Sequence, residues 1–339
     1  MLCVCKFGGS SVATEKGLEK IKEAVNSSPA RKVIVVSAIG KRFAGDIKVT
    51  DLLIKLAEKP SDEKLKKQIL SRFYNLKKRL RVDIDIRAEF NRLPQDKDYV
   101  VSRGEYVTAK IVAEFLDYDF IDACKVLYFK NGKLDVCKSR RALSKINLKK
   151  GVVIPGFYVC EKGKIKLLER GGSDLSGAYL CRLLKADYYE NYTDVSGIMC
   201  VSPDILPDNM TIKNMSYRDL KRLSELNLKI LQKHVYKSVI GTKTQIVVRN
   251  TFDSNSARTV IKNVYITKTP KAFGIGLKDD KIVIIGRKLN GKQIKSAIKG
   301  ALYNLRYTMK ISYYKAIIDI DSDKTVVIKM LFLALKKYV

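Results

Sequence analysis

The chain has 339 residues, with 66 Lys and Arg against 35 Asp and Glu, a formal net charge of +31. Its hydrophobic fraction of 46% supports a packed core and excludes general disorder. No apolar run approaches the ~18–20 residues of a membrane span, and Met1–Ser10 has no basic region followed by an apolar stretch. A cytoplasmic protein without a membrane partner is therefore expected. The charge has two readings, a polyanion-binding surface or a lysine-rich solvated one. The lysines of the last 79 residues alternate with apolar residues and form no basic run. That patterning favours a solvated surface, and nucleic acid is not expected as a partner. The seven cysteines are scattered without a CxxC pair, and His234 is the single histidine. Zinc ligation and a histidine-dependent nucleophile are both disfavoured.

In chain order, Leu2–Phe7 reads as a strand, Gly8–Ser11 as a turn, and Leu18, Ile21 and Val25 as one face of a helix. Lys32–Ser37 is continuously apolar at its centre, as suits a strand buried on both faces of a parallel sheet. Helical patterns follow at Thr50–Ala57 and Asp62–Leu80, and Ser102–Leu116 reads as a turn leading into a helix. Val152–Pro155 is a short strand. Arg170–Asp174 is a second glycine turn, feeding a helix through Ala178, Leu180, Leu183 and Leu184. Tyr188–Thr193 and Gln245–Arg249 are strands around a helical Met215–Leu231. This alternation predicts an α/β fold with a mainly parallel central sheet and helices on both faces.

A junction is expected near residues 250–265. Beyond it come a strand (Lys281–Gly286), a helix (Gly291–Tyr307), two strands (Met309–Tyr314 and Ala316–Ile320) and a helix (Thr325–Tyr338). This reads as a small α+β module. Asn263–Ile266 or Phe273–Leu277 is expected to add a strand. The domain expectation is 1–260 and 261–339.

No GxxxxGK[ST] motif is present, so the chain is not a P-loop enzyme by that signal. Two glycine turns carry the phosphate chemistry instead. In Lys6-Phe7-Gly8-Gly9-Ser10-Ser11, glycines admit an anion close to backbone N–H groups, and Lys6 adds a point charge at the strand end. Arg170-Gly171-Gly172-Ser173-Asp174 is the second. A lone glycine pair is more often only a tight turn.

The ordered set is more specific. KFGGSS, VVSAIGKR at 35–42, VTDLL at 49–53, SRGE at 102–105, RGGSDLSG at 170–177 and YENYTDVSGI at 189–198 occur in sequence. Over roughly residues 2–260 this resembles the aspartokinases of the amino acid kinase family. The resemblance implies transfer of the γ-phosphoryl group of ATP, bound with Mg2+, to the side-chain carboxylate of L-aspartate, giving 4-phospho-L-aspartate for lysine, threonine and methionine synthesis. It implies that Lys6 neutralises the transferring group and that Asp174 holds Lys6 or the substrate amine. Gly8, Gly9 and Ser10 would meet phosphate. Ser37, Thr50, Gly171 and Ser173 would lie at aspartate, with Glu105 on its α-ammonium and Arg170 on its α-carboxylate. Thr193, Asp194 and Lys229 would lie at the nucleotide. The chain departs from the family pattern at Met199, Ser202, Asp204 and Gln232.

The resemblance further implies that 261–339 is a single ACT-like module, with a homodimer formed through it. Two alternatives stand beside the kinase reading. One is a related family member with another carboxylate acceptor; the other is a catalytically weak paralogue that binds a ligand or partner.

Overall fold

The structure, a computed structural model, describes every residue except 92, 170, 227, 229, 230, 232, 263–273 and 339; the side chains of 233 and 234 are likewise outside the description. The chain forms two compact units. The first is Met1–Val195 with Lys237–Asn255, and the second is Ser196–Tyr236 with Ser256–Val339. Ser196–Tyr236 thus packs with the C-terminal strands, although the sequence reading grouped it with the N-terminal domain.

The first unit begins with β1 (Cys3–Phe7), α1 (Glu15–Asn26), β2 (Arg31–Val36), α2 (Val49–Glu58) and α3 (Glu63–Leu80). A short α4 (Ala88–Asn91) precedes α5 (Lys97–Leu116) and β3 (Asp119–Phe120). Next come β4 (Tyr128–Lys130), β5 (Lys133–Leu134), α6 (Val136–Leu143), β6 (Val152–Pro155), β7 (Tyr158–Glu161), β8 (Lys164–Leu167), α7 (Gly172–Leu184) and β9 (Tyr188–Thr193). The chain then gives β10 (Asn214–Ser216) and α8 (Tyr217–Leu223) to the second unit; the division falls within α9 (Lys233–Val239), and β11 (Gln245–Asn250) belongs to the first unit again.

The central strands run parallel in the order β11-β9-β1-β2-β6-β3. Val33, Ile34, Val35 and Val36 are all fully buried, which explains the unbroken apolar run of β2. Each such side chain contributes roughly 1.5–3 kcal/mol of burial free energy. Cys3, Cys5, Phe7, Ile34 and Val36 face a core shared with α1, α2, α3 and α5. Contacts of α7 with β1, β2 and β9 place it on the sheet as well. A smaller sheet, β5-β4-β7-β8, flanks the main one.

Helix ends follow local chemistry. Thr14, Asp62 and Asp96 accept backbone N–H groups at the starts of α1, α3 and α5. The helix after KFGGSS starts at Glu15, with Leu18, Ile21 and Val25 on its buried face as expected, and a seven-residue irregular turn separates it from β1. One local expectation is corrected here. Ser102-Arg103-Gly104-Glu105 is not a turn; it lies inside α5, where bare Gly104 lets the helix approach Ala38 and Leu53.

In the second unit, β10 pairs in parallel with β12 (Thr259–Lys262). Then follow β13 (Gly274–Lys278), β14 (Lys281–Ile285), α10 (Lys292–Ala301), β15 (Tyr307–Ile311), β16 (Lys315–Ile320) and α11 (Lys324–Leu335). The four strands form an antiparallel sheet in the order β13-β14-β16-β15. Of the two candidate extra strands, the later one is observed as β13; the earlier, 263–266, lies outside the described residues. Among the described residues, the expected helix 215–231 is observed over Tyr217–Leu223, where Ser216 and Asp219 form a capping box. Among the described residues, no helix is long and apolar enough to cross a membrane.

Candidate active site

All parallel strands of the first unit point the same way, so their C-terminal ends and the loops after them gather at one edge. There a cavity of about 1020 Å³ opens, at the upper end of the usual range for ligand sites. Lys6, Gly8, Gly9, Ser10, Ser37, Thr50, Glu105, Gly171, Ser173, Asp174, Thr193 and Asp194 all line it. The structure therefore assembles residues up to 188 positions apart that the sequence nominated separately. Arg170 and Lys229 lie outside the described residues.

Lys6 comes from the end of β1, and its Nζ lies 2.7 Å from Asp174 Oδ1. Asp174 sits in the first turn of α7. That helix is started by Gly171 at φ 82°, a left-handed conformation that a side chain would disfavour. Asp174 Oδ1 also accepts from Asn191 Nδ2 at 2.8 Å, and the Asp174 carbonyl accepts from Tyr189 Oη at 3.0 Å. Asn191 is buried on β9, directly across from Lys6 in the parallel register. Cation and carboxylate are thus both held from neighbouring strands.

Glu105, on α5, is fully buried and opens into the same cavity. Its Oε2 has no hydrogen-bond partner. Burial pushes its carboxyl up to about 8; backbone N–H donation and the positive charge of Lys6 oppose the rise without cancelling it. A buried carboxyl with one unsatisfied oxygen at a cavity wall is costly, and a cationic ligand would relieve it.

The glycine turn distributes its donors unevenly. The Gly8 N–H is committed to the Tyr192 carbonyl at 3.2 Å, whereas the N–H groups of Gly9 and Ser10 have no partner among the described residues. Ser11 Oγ and Thr251 Oγ1 meet at 2.7 Å and tie the turn to the end of β11. Gly172 and Ser173, in the first turn of α7, also line the cavity and bring the positive end of that helix to it, whereas the Asp174 N–H is taken by the Gly171 carbonyl at 3.0 Å. Ser37 follows β2 and Thr50 opens α2; Thr193 donates to Asp194 at the end of β9.

Beneath the site, Glu190 joins β9 to β2 and β11. It accepts from Arg31 Nε at 2.7 Å, Arg249 Nε at 3.0 Å and Tyr192 Oη at 2.9 Å. Burial pushes its carboxyl up, but these donors and charges outweigh that and leave it below the usual range. Cys3, Cys5 and Glu190 are close enough to suggest a metal, but two arginines already neutralise this carboxylate and burial raises the Cys5 thiol. Oxygen donors suited to Mg2+ are found instead in the cavity, at Asp174 and Asp194.

Several functional groups were left without a role by the sequence reading. Asn191 stands within YENYTDVSGI, Lys41 and Arg42 within VVSAIGKR, and Lys48 just before VTDLL; of these, the three cations line the cavity.

Comparison with known proteins agrees with this architecture. Residues 1–250 match the amino acid kinase family. Aspartokinase 3 of Bacillus subtilis is 32% identical over 73% of the chain and 61% of its own length. The aspartokinase of Chlamydia muridarum is 26% identical over 74% of the chain and, again, 61% of its own length. The chain thus spans about three fifths of these curated relatives. The crystal structure of Clostridium acetobutylicum aspartate kinase superposes with a TM-score of 0.84 at 26% identity, covering 98% of this chain and all of that one. That of E. coli aspartokinase III in complex with aspartate and ADP gives 0.81 at 19% identity, a likeness of fold, over 99% of this chain. With a matching family, a parallel sheet and a strand-end site that agree, the chain belongs to the amino acid kinase family, and its relatives named here are aspartokinases.

Proposed function

We propose that the protein phosphorylates the side-chain carboxylate of L-aspartate at the expense of MgATP. One observation carries the reading. An ion-paired lysine and aspartate, Lys6 and Asp174, share a cavity with a buried carboxyl, Glu105, whose Oε2 has no hydrogen-bond partner. The last matches the ammonium of an amino acid, and the first matches a transferring phosphoryl group. The 32% identity to an aspartokinase selects the amino acid.

The chemistry asks little of the protein beyond placement. The aspartate carboxylate is ionised at neutral pH and is itself the nucleophile. One of its oxygens forms a bond to the γ-phosphorus as the bond to the β,γ-bridging oxygen breaks, leaving ADP and an acyl phosphate. No general base is required, which suits a chain with one histidine. Lys6 stabilises charge on the transferring group. Asp174 and Asn191 fix the direction of its ammonium. Gly9 and Ser10 offer backbone donors to phosphate oxygens. Thr193 and Asp194 stand at the nucleotide, a role the family resemblance extends to Lys229, which lies outside the described residues. Ser37, Thr50, Gly171 and Ser173 shape the aspartate end, where Arg170 takes the α-carboxylate. Mg2+ arrives with ATP, whose charge it offsets, and the oxygen donors of Asp174 and Asp194 fit it.

Residues 1–260 would then form the catalytic domain and 261–339 a single ACT-like module. The antiparallel sheet with α10 and α11 supports that reading. On α11, Val326, Met330 and Leu333 are exposed at i, i+4 and i+7. A homodimer through this stripe would bury it.

The test is direct. Purified protein with MgATP, L-aspartate and hydroxylamine should form aspartyl hydroxamate, because hydroxylamine traps the acyl phosphate. Formation with aspartate and none with glutamate supports the proposal. A folded protein that makes no hydroxamate with aspartate would overturn it and leave the weak-paralogue alternative.

A further inference from the structure

The loop between β2 and α2 is longer than a parallel-sheet connection needs. Its neck is closed by the Val49 N–H donating to the Ile39 carbonyl at 3.0 Å. Between these ends, Lys41, Arg42, Phe43 and Lys48 are exposed and line the cavity, while Asp46 is buried. An exposed eight-residue tip with three cations would not hold one shape unaided.

One residue of α3 supplies the constraint. Arg72 is 6% exposed and makes no contact with the cavity. Its Nη2 donates to the Gly40 carbonyl at 2.7 Å. Its Nη1 donates to Asp46 Oδ1 at 3.1 Å and to the Ile47 carbonyl at 3.0 Å. Asp46 gathers the rest of the loop, accepting from the Arg42 N–H at 3.0 Å, Arg42 Nε at 2.8 Å and the Ile47 N–H at 3.0 Å. The hydrogen bonds of Arg42, then the charge of Arg72, outweigh burial and hold the Asp46 carboxyl well below the usual range. Asp46 therefore stays ionised across neutral pH. Gly40 in turn donates its N–H to the Gly9 carbonyl at 2.9 Å, and a Cβ on Gly40 would come within 2.5 Å of Gly9 carbon. The chain of contacts runs from Arg72 through Gly40 to the glycine turn, whose Gly9 and Ser10 line the cavity.

We infer that Arg72, with Asp46, is a positioning residue that latches the 39–49 loop and so sets both its cations and the Gly9 backbone against the phosphoryl end of the site. The buried guanidinium does this work without touching substrate. A planar, five-donor group reaches two carbonyls and a carboxylate at once; lysine cannot. The kinetic arm of the test rests on the kinase reading above; a second arm does not.

Arg72→Met, Arg72→Lys and, as a control on the same helix, Phe73→Leu would be compared with the unaltered protein. Steady-state kinetics would be run with MgATP and aspartate varied separately. Trypsin would report the loop, since Lys41, Arg42 and Lys48 are its cleavage points. Arg72→Met is expected to raise the KM for MgATP about tenfold and lower kcat about tenfold, since small misplacements carry penalties of this size. The KM for aspartate should stay within about twofold, because the latch reaches the phosphoryl side. Arg72→Lys should restore little. Cleavage within 41–48 should be at least about tenfold faster in Arg72→Met, while Phe73→Leu lowers the melting temperature and leaves both readouts alone. Unaltered kinetics in a folded Arg72→Met would overturn the inference, as would the same losses in Phe73→Leu. If the parent protein makes no hydroxamate, the kinase reading fails separately and proteolysis alone decides the latch: faster cleavage supports it, unchanged cleavage overturns it.

Discussion

Replacing Glu105 by Gln removes one charge from the cavity wall and keeps its shape. The effect is calculable from the burial of the native carboxyl. Glu105 titrates at about 8 in the folded chain, against 4.5 for a solvated glutamate, because burial disfavours the ionised form. Between these two values the folded chain keeps a proton that the unfolded chain has released. Stability therefore falls as pH rises through the window, by about 1.4 kcal/mol per pH unit and roughly 5 kcal/mol in all. Below pH 4.5 both states are protonated and the penalty vanishes. Glu105→Gln carries no such proton, so its stability should be flatter between pH 5 and 8 and higher at pH 8. Urea denaturation at several pH values measures this. The same proton governs binding. If the ionised carboxylate receives the ammonium of aspartate, the apparent affinity of the native protein should rise nearly tenfold per pH unit below about 8 and then level off. In Glu105→Gln the KM for aspartate should be high and nearly independent of pH. A Gln variant retaining the native slope in both experiments would refute the reasoning, since another group would then own the proton.

Lys6→Ala should lower kcat by on the order of 10²–10³ while the circular dichroism spectrum stays native, because a preorganised charge is lost at the transferring group; a variant keeping most of its turnover would remove Lys6 from the chemistry. Asn191→Leu should lower kcat about tenfold with little change in KM for aspartate, since Asp174 loses the 2.8 Å donor that fixes it beside Lys6; unaltered kcat would mean that Lys6 alone orients the carboxylate. Glu190→Ala should cost roughly 3–5 kcal/mol in chemical denaturation, as it removes the carboxylate that pairs the buried Arg31 and the half-buried Arg249; a loss below 1 kcal/mol would indicate that water reaches them.

Much of the site was legible from local chemistry. A strand that ends in a glycine pair, an apolar β2 and a helix opened by Gly171 are features of short windows, because strand burial and backbone freedom are decided by neighbours in sequence. So Lys6 and the two glycine turns could be nominated and the parallel sheet foreseen, whereas Ser37, Asp174 and Thr193 were nominated through the resemblance to aspartokinases. SRGE was misread as a turn for the same reason: glycine next to charge signals a break locally, and only the packing of Gly104 against Ala38 and Leu53 makes it a helix interior. The expected donors shifted too, since the Gly8 N–H is spent on the Tyr192 carbonyl of a strand 184 residues away.

The order of hydrophobic and glycine signals thus determined the fold class and the strand ends where chemistry occurs. Tertiary structure decided what those residues are. It buried Glu105 and moved its proton toward neutral pH, set Asn191 across from Lys6, and brought Arg72 under a loop 26 residues earlier. The physical reason is that charge energetics and hydrogen-bond geometry depend on distance and burial in space, and neither quantity is written in sequence separation.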